Sequence, residues 1–226
     1  VKTQDIRSQR QDGVWKIQLH RPQSLNALTP EMAQALLAGI QQGLADPEVK
    51  LLVIQGEGRA FCAGKDREAP GTAAFVATLQ AVADALVNSE KPSIAAVHGW
   101  AVGAGLELAL NCDLVIASDQ ARFKLPEAQL GLPGTGGVHA LLPRLIGLSR
   151  AKALLWFGQE FSADQALQWG LLWSVVPPER LEAEVTACAE HLTRADPKAL
   201  GRVKSLLHQS VLRDFQTTLD GESVPD

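Results

Sequence analysis

Residues 93–118 read SIAAVHGWAVGAGLELALNCDLVIAS. SIAAVHG predicts a buried strand, GAGLELALNC a helix and DLVIAS a second buried strand. Three glycines, Gly99, Gly103 and Gly105, punctuate the junction between the first strand and the helix. The same alternation recurs upstream. VWKIQL at 14–19 sets Trp15, Ile17 and Leu19 against polar neighbours, a strand signal. Thr29, Pro30 and Glu31 supply a cap, a first-position proline and a first-turn acid, and Met32, Leu36, Leu37, Ile40 and Leu44 continue at helical spacing. KLLVIQG is a second apolar strand, GEGRAFCAGKD a glycine-punctuated loop, and Phe75, Leu79, Val82 and Leu86 mark a helix. Downstream, Ser162 to Gln165 has the form of a capping box, LLWSVVP a late strand, Leu181, Val185, Ala189 and Leu192 a helical stripe, and Asp196-Pro197 a further helix start. Strands alternating with helices predict an α/β fold with parallel strands.

Composition narrows the function. The chain of 226 residues carries 21 Lys+Arg against 25 Asp+Glu, a net charge of −4, without the basic stripe of a nucleic-acid surface. Hydrophobic residues are 46% and charged residues 20%, an ordinary globular mix. No apolar run is long enough to span a bilayer, and the polar opening VKTQDIRSQRQDG shows no signal peptide. Cys62, Cys112 and Cys188 are odd in number and far apart, which disfavours a zinc site or disulfide framework and fits a reducing compartment.

Two nucleotide motifs fail on spacing. Five residues separate Gly58 from Gly64 where a phosphate loop needs four, and Asp66 stands where that loop needs Ser or Thr. GWAVGAGLE lacks the G-x-G-x-x-G pattern, and no G-x-S-x-G elbow is present. Two glycine-rich strand–loop–helix junctions remain, LLVIQG through AFCAGKD and IAAVHG through GAGLELAL. Glycine at a strand end lets backbone N–H groups turn outward, and a helix start adds unpaired N–H groups. Side by side, two such junctions could aim two N–H groups at one oxygen, an oxyanion hole for a thioester carbonyl becoming an enolate. Equally, both could be tight connections and nothing more.

Two acids stand out. Glu107 lies among Leu106, Leu108, Ala109 and Leu110, and a buried carboxylate is costly unless paired or functional. It shares a helix face with Ala104 at i, i+3, so a backbone donor and a carboxylate could flank one cavity. The alternative is an acid satisfying its own helix N-terminus. Glu127, after Pro126 in ARFKLPEAQLG, would alone read as a solvated loop acid; paired with Glu107 it could divide acid and base duties. GLPGTGG at 131–137 follows, either a flexible turn or part of the same site. His98 and His139 are not spaced as metal ligands, and Lys65 alone is weak as a phosphate contact.

Together, LHRPQSLNAL, RAFCAGKD, KPSIAAVHGWAVGAGLELALNCDLVIAS, ARFKLPEAQLGLPGTGG, LPRLIG and GLLWSVVP resemble, in order and over most of the chain, the crotonase or enoyl-CoA hydratase/isomerase superfamily. The resemblance implies a spiral of ββα turns over residues 1–190 and a helical trimerisation region over 191–226, shortened here. The implied assembly is a homotrimer or a dimer of trimers. It implies that the backbone amides of Lys65 and Ala104 form the oxyanion hole and that Glu107 and Glu127 are the catalytic pair. Leu25, Ala27, Ala63, Gly64, Asp66, Gly103 and Gly134 would then meet coenzyme A or the acyl group.

The implied activity is hydration of a 2-enoyl-CoA. Rivals are an enoyl-CoA isomerase using Glu127 alone and a non-catalytic acyl-CoA-binding protein. Neither a metal nor a redox cofactor is expected, coenzyme A being part of the substrate; no nucleic-acid or membrane partner is expected either. The implied location is the cytoplasm, or the mitochondrial matrix in a eukaryote. Three departures from the family pattern are visible. Glu127 to Gly134 is one residue shorter than usual, Lys65 replaces a small residue, and the chain stops at DFQTTLDGESVPD, before the usual last helix.

Overall fold

The computed structural model describes residues 5–212 and Leu219. The elements run β1 (Ile6–Gln11), β2 (Val14–Leu19), α1 (Pro30–Ala45), β3 (Leu51–Gly56), α2 (Ala73–Val87), β4 (Ser93–Val97), β5 (Trp100–Val102) and α3 (Ala104–Leu110). They continue through β6 (Leu114–Ser118), β7 (Arg122–Lys124), α4 (Val138–Ile146), α5 (Leu148–Phe157), β8 (Phe161–Ser162), α6 (Ala163–Trp169), β9 (Ser174–Val176), α7 (Leu181–Arg194) and α8 (Pro197–Val211). Six strands form one sheet in the order β1-β2-β3-β4-β6-β9, parallel except for the antiparallel β1–β2 hairpin.

A second, smaller sheet of β5, β7 and β8 runs beside it. Isolated bridges extend its line to Cys62, opposite Ala101, and to Lys65, opposite Leu28. Successive turns therefore put one strand into the large sheet and one extended segment into the second layer before a helix: β3 then 62–65 then α2, and β4 then β5 then α3. This is the ββα spiral that the resemblance implies.

Helices α1, α6 and α8 begin at the caps expected at Thr29, Ser162 and Asp196, and α2 at a further cap, Thr72. The Thr29, Thr72, Ser162 and Asp196 side chains accept from the amides of Met32, Phe75, Gln165 and Ala199, and Ser162 with Gln165 completes the capping box. Helix α1 buries Met32, Leu36 and Ile40 completely, each worth roughly 1.5–3 kcal/mol relative to exposure. Trp15 of β2 lies so close under α1 that only glycine fits at position 43, where a Cβ would stand 2.3 Å from its ring; its indole N–H donates to the Gly39 carbonyl at 2.8 Å.

The hairpin is a departure from the sequence reading, which finds no strand in the polar opening. Nearly all of β1 is exposed, and Asp12 and Gly13 turn the chain at positive φ. Helix α7 crosses the 190/191 boundary. Leu181, Val185 and Ala189 pack it onto Val14, Val53, Ile94 and Ile116 of the large sheet. In the 191–226 region the described remainder is α8 and Leu219; most of DFQTTLDGESVPD lies outside the described residues. Buried Lys204 pins α8, donating to Leu86 O at 2.8 Å and to Asp113 Oδ2 at 2.9 Å, just past the C-terminal end of α3. Helix α8 exposes Val203, Leu206, Leu207 and Val211. Among the described residues no helix is long and apolar enough to cross a membrane.

Candidate active site

The two glycine-rich junctions lie against each other. Leu28 N donates to Gly64 O at 2.7 Å and Asp66 N to Leu28 O at 2.8 Å. In that parallel bridge Lys65 turns its own N–H away from Leu28, toward the side where Ala104 begins α3. Gly64 makes the approach possible. Its φ is +94°, and a Cβ there would stand 2.7 Å from Val102 O and 3.6 Å from Ala104 N. Gly103, at φ +52°, directs the chain into α3, its own amide bonded to Lys124 O. Among the described residues, neither the Lys65 nor the Ala104 amide donates a hydrogen bond to the protein.

A network that the sequence reading missed holds the first junction. Leu25 and Asn26 both have positive φ, and Asn26 is fully buried. Its Nδ2 donates to Glu57 O and Ala60 O, and its Oδ1 accepts from Arg21 N. Ala63 N donates to Leu25 O, and the Cys62 thiol donates to Asn26 O at 3.1 Å. Asp66 is clamped by the amide of Glu68 and by Arg21, and these two partners hold its carboxyl below the usual range. Arg21 also reaches the Ala27 carbonyl. Leu25, Ala27, Ala63 and Asp66 thus form one bonded loop around the Lys65 amide. The signal was present as Leu25-Asn26 before Ala27, but an asparagine on its own does not announce burial.

Glu107 is 2% exposed. Its Oε1 accepts from Thr135 N at 2.9 Å and its Oε2 from the Thr135 hydroxyl at 3.4 Å. The GLPGTGG loop wraps this carboxylate closely: a Cβ at Gly134 would stand 2.6 Å from Oε1, and one at Gly136 3.0 Å from Oε2. Glu127 is 6% exposed, and its Oε2 has no partner among the described residues. Burial pushes its pKa up; its own backbone amide, Lys65 and His139 pull the other way. Its Oε1 lies 2.6 Å from where Gly103 would carry a Cβ, so a side chain there would strike the acid.

The glutamates face two adjoining spaces rather than one. Glu127 lines a cleft of about 460 Å³ with Gly134, His139, Lys152 and Trp156. Glu107 lines a cavity of about 10 Å³ with Ala104, Asn111 and Gly136. Gly134 stands between them, lining the cleft while touching Glu107. The site holds two backbone amides that donate to no described residue, one acid held at a raised pKa and one carboxylate fixed by donors. Such a set suits a carbonyl that gains negative charge while protons move at neighbouring carbons.

A family model described as "Enoyl-CoA hydratase/isomerase" matches residues 9–224. The chain is 36% identical to the 1,2-epoxyphenylacetyl-CoA isomerase of Escherichia coli, with 96% of this chain and 87% of that protein covered. It is 37% identical to the 2,3-dehydroadipyl-CoA hydratase of the same organism, covering 89% and 80%. The crystal structure of an enoyl-CoA hydratase from Mycobacterium avium subsp. paratuberculosis superimposes with a TM-score of 0.91 at 31% identity, over 96% of this chain and 87% of that one.

Proposed function

Because the chain belongs to the enoyl-CoA hydratase/isomerase family, we propose that it adds water across the double bond of a 2-enoyl-CoA thioester, or removes it in the reverse direction. The thioester oxygen accepts from the amides of Lys65 and Ala104. Glu107 takes a proton from water as the water oxygen bonds to the β carbon. Glu127, whose pKa burial raises, delivers a proton to the α carbon. Both acids reach one alkene only across Gly134, which accounts for glycine at that position. The loop of Leu25, Ala27, Ala63, Gly64 and Asp66, with Gly103, meets the coenzyme A moiety and the thioester. One observation carries the reading: two buried acids flank a pair of backbone amides that donate to no described residue. Each oxyanion donor is typically worth about 2.7–4 kcal/mol in the transition state.

Glu107→Gln tests it. Crotonyl-CoA hydration is expected to fall at least about 10²-fold, while any 3-enoyl-CoA isomerisation persists. Full hydration by the variant would refute the role of Glu107. The second reading, a double-bond isomerase, is favoured by one feature: Glu127 Oε2 is unpartnered beside the larger cleft, whereas Glu107 is tied to Thr135. Isomerisation without hydration in the wild type would select it. Thermal stabilisation by coenzyme A thioesters without turnover of any enoyl-CoA would select a binding protein.

The same proposal includes a homotrimer or a dimer of trimers. Its support is the stripe of Val203, Leu206, Leu207 and Val211, which shares one face of α8 at helical spacing and is exposed in the single chain. Light scattering is expected to return three or six times 24.2 kDa; a monomer at micromolar concentration would refute it.

A further inference from the structure

The two spaces beside the acids are unequal. The one at Glu107 measures about 10 Å³, the size of a single water, and the cleft at Glu127 about 460 Å³. The larger value falls in the range of about 300–1,000 Å³ found for sites that take a whole small ligand. Crotonyl-CoA carries one methyl group beyond its β carbon, which would leave most of such a cleft unfilled.

The walls of the cleft are mostly apolar. The stretch after Glu127 supplies Leu132 and Pro133, α4 supplies Pro143, and α5 supplies Leu148, Leu155 and Trp156. The prolines bring no N–H to the wall. Lys152 also lines the cleft, with its ammonium 5.8 Å from the centre of the Trp156 ring, where the ring face satisfies part of its charge. Leu148 and Trp156 are 60% and 63% exposed, apolar surface that is stabilised when something apolar covers it. Gln129 fixes the shape of the cleft. Two residues after Glu127, its Nε2 donates to Trp156 O at 2.6 Å and ties the segment of the acid to the end of α5.

We propose that the substrate is a 2-enoyl-CoA whose acyl group continues past the β carbon as an apolar tail of medium length, and that this tail lies in the Glu127 cleft against Leu148, Leu155 and Trp156. The proposal rests on the reading above in one respect: the thioester oxygen sits at the Lys65 and Ala104 amides, with the α carbon at Glu127. From that point the loop around Leu25 and Asp66 leads coenzyme A away. The cavity at Glu107 has no volume for further carbons, and the cleft that Glu127 itself lines has it. Continuity with the acid therefore selects the occupant. Each methylene that enters exchanges water for apolar wall, worth about fourfold in affinity, or about 0.8 kcal/mol.

Calorimetric titration with saturated acyl-CoA thioesters reads the tail without any turnover. From butyryl- to octanoyl-CoA, Kd is expected to fall about fourfold per added CH₂, roughly 250-fold in all. Trp156→Ala removes a wall and Leu148→Ser wets one; both side chains are exposed, so neither change opens the core. Each variant is expected to shrink the butyryl-to-octanoyl ratio of Kd at least about fivefold. In kinetics, the wild-type kcat/KM for 2-octenoyl-CoA is expected to exceed that for crotonyl-CoA, and both variants to narrow the gap. A flat series in the wild type overturns the proposal, and a second copy of the chain seated in the cleft would give that result. A steep series that both variants leave intact overturns it too, because the tail would then lie elsewhere. The two readings fail separately. A steep series with the expected losses but no hydration of 2-octenoyl-CoA would sink hydration and leave the tail site standing, whereas hydration of crotonyl-CoA with a flat series would sink the tail site alone.

Discussion

Glu127→Gln is expected to abolish turnover to within about 10⁻⁴ of the wild type, on hydration and isomerisation alike. A glutamine can neither give a proton to the α carbon nor take one from it, and general acid–base help spans about 10²–10⁴-fold per positioned group. Assays on crotonyl-CoA and on a 3-enoyl-CoA check it; a variant that retains one reaction at the wild-type rate would remove Glu127 from that chemistry. The same substitution has a signature in stability. Burial raises the Glu127 pKa above 4.5. At lower pH the folded and unfolded chains both keep the proton. As pH rises, the unfolded chain releases it first, so the folded state loses stability until its own carboxyl ionises. Glutamine does not titrate. The melting temperature of Glu127→Gln relative to wild type is therefore expected to be higher at pH 8 than at pH 4, and an equal difference at both would contradict a raised pKa.

Gly64→Ala is expected to cost about 10⁴-fold or more in turnover, since each oxyanion donor contributes about 10²–10³ and this glycine governs both. A methyl group at position 64 meets the Val102 carbonyl at 2.7 Å, a backbone atom that cannot swing aside, and φ of +94° is strained for alanine. Relief must separate the two junctions, pulling the Lys65 amide from the Ala104 amide. Thermal melts establish that the variant folds. A folded Gly64→Ala within tenfold of wild-type turnover would show that the two amides do not act as a pair.

The repeat of strand, junction and helix was legible because burial writes itself as apolar runs: KLLVIQG, SIAAV and DLVIAS needed no tertiary information. Strand β1 was not legible by that criterion, since IRSQRQ is exposed at nearly every position and its order comes from backbone bonds to β2 and the Asp12-Gly13 turn. Glu107 stood out because a charge among leucines demands a partner, yet nothing local names Thr135 as that partner. Asn26 and Asn111 were silent for a similar reason. Their side-chain amides bond to carbonyls at positions 57, 60 and 136, brought near only by the spiral. The separation of Glu107 from Glu127 at Gly134 is likewise a property of how the 131–137 loop lies over α3, which spacing alone does not encode.

Cys62 lies two residues before Gly64, fully buried, its thiol donating to Asn26 O, and burial pushes its pKa up to about 12. A conjugated thioester is an electrophile, and a thiolate near it would add to the alkene and poison the protein with its own reactant. A sulfur that keeps its proton far above physiological pH lacks that reactivity. With the 2-enoyl thioester proposed above as its substrate, the chain can therefore carry cysteine beside an alkylating ligand without being consumed by it.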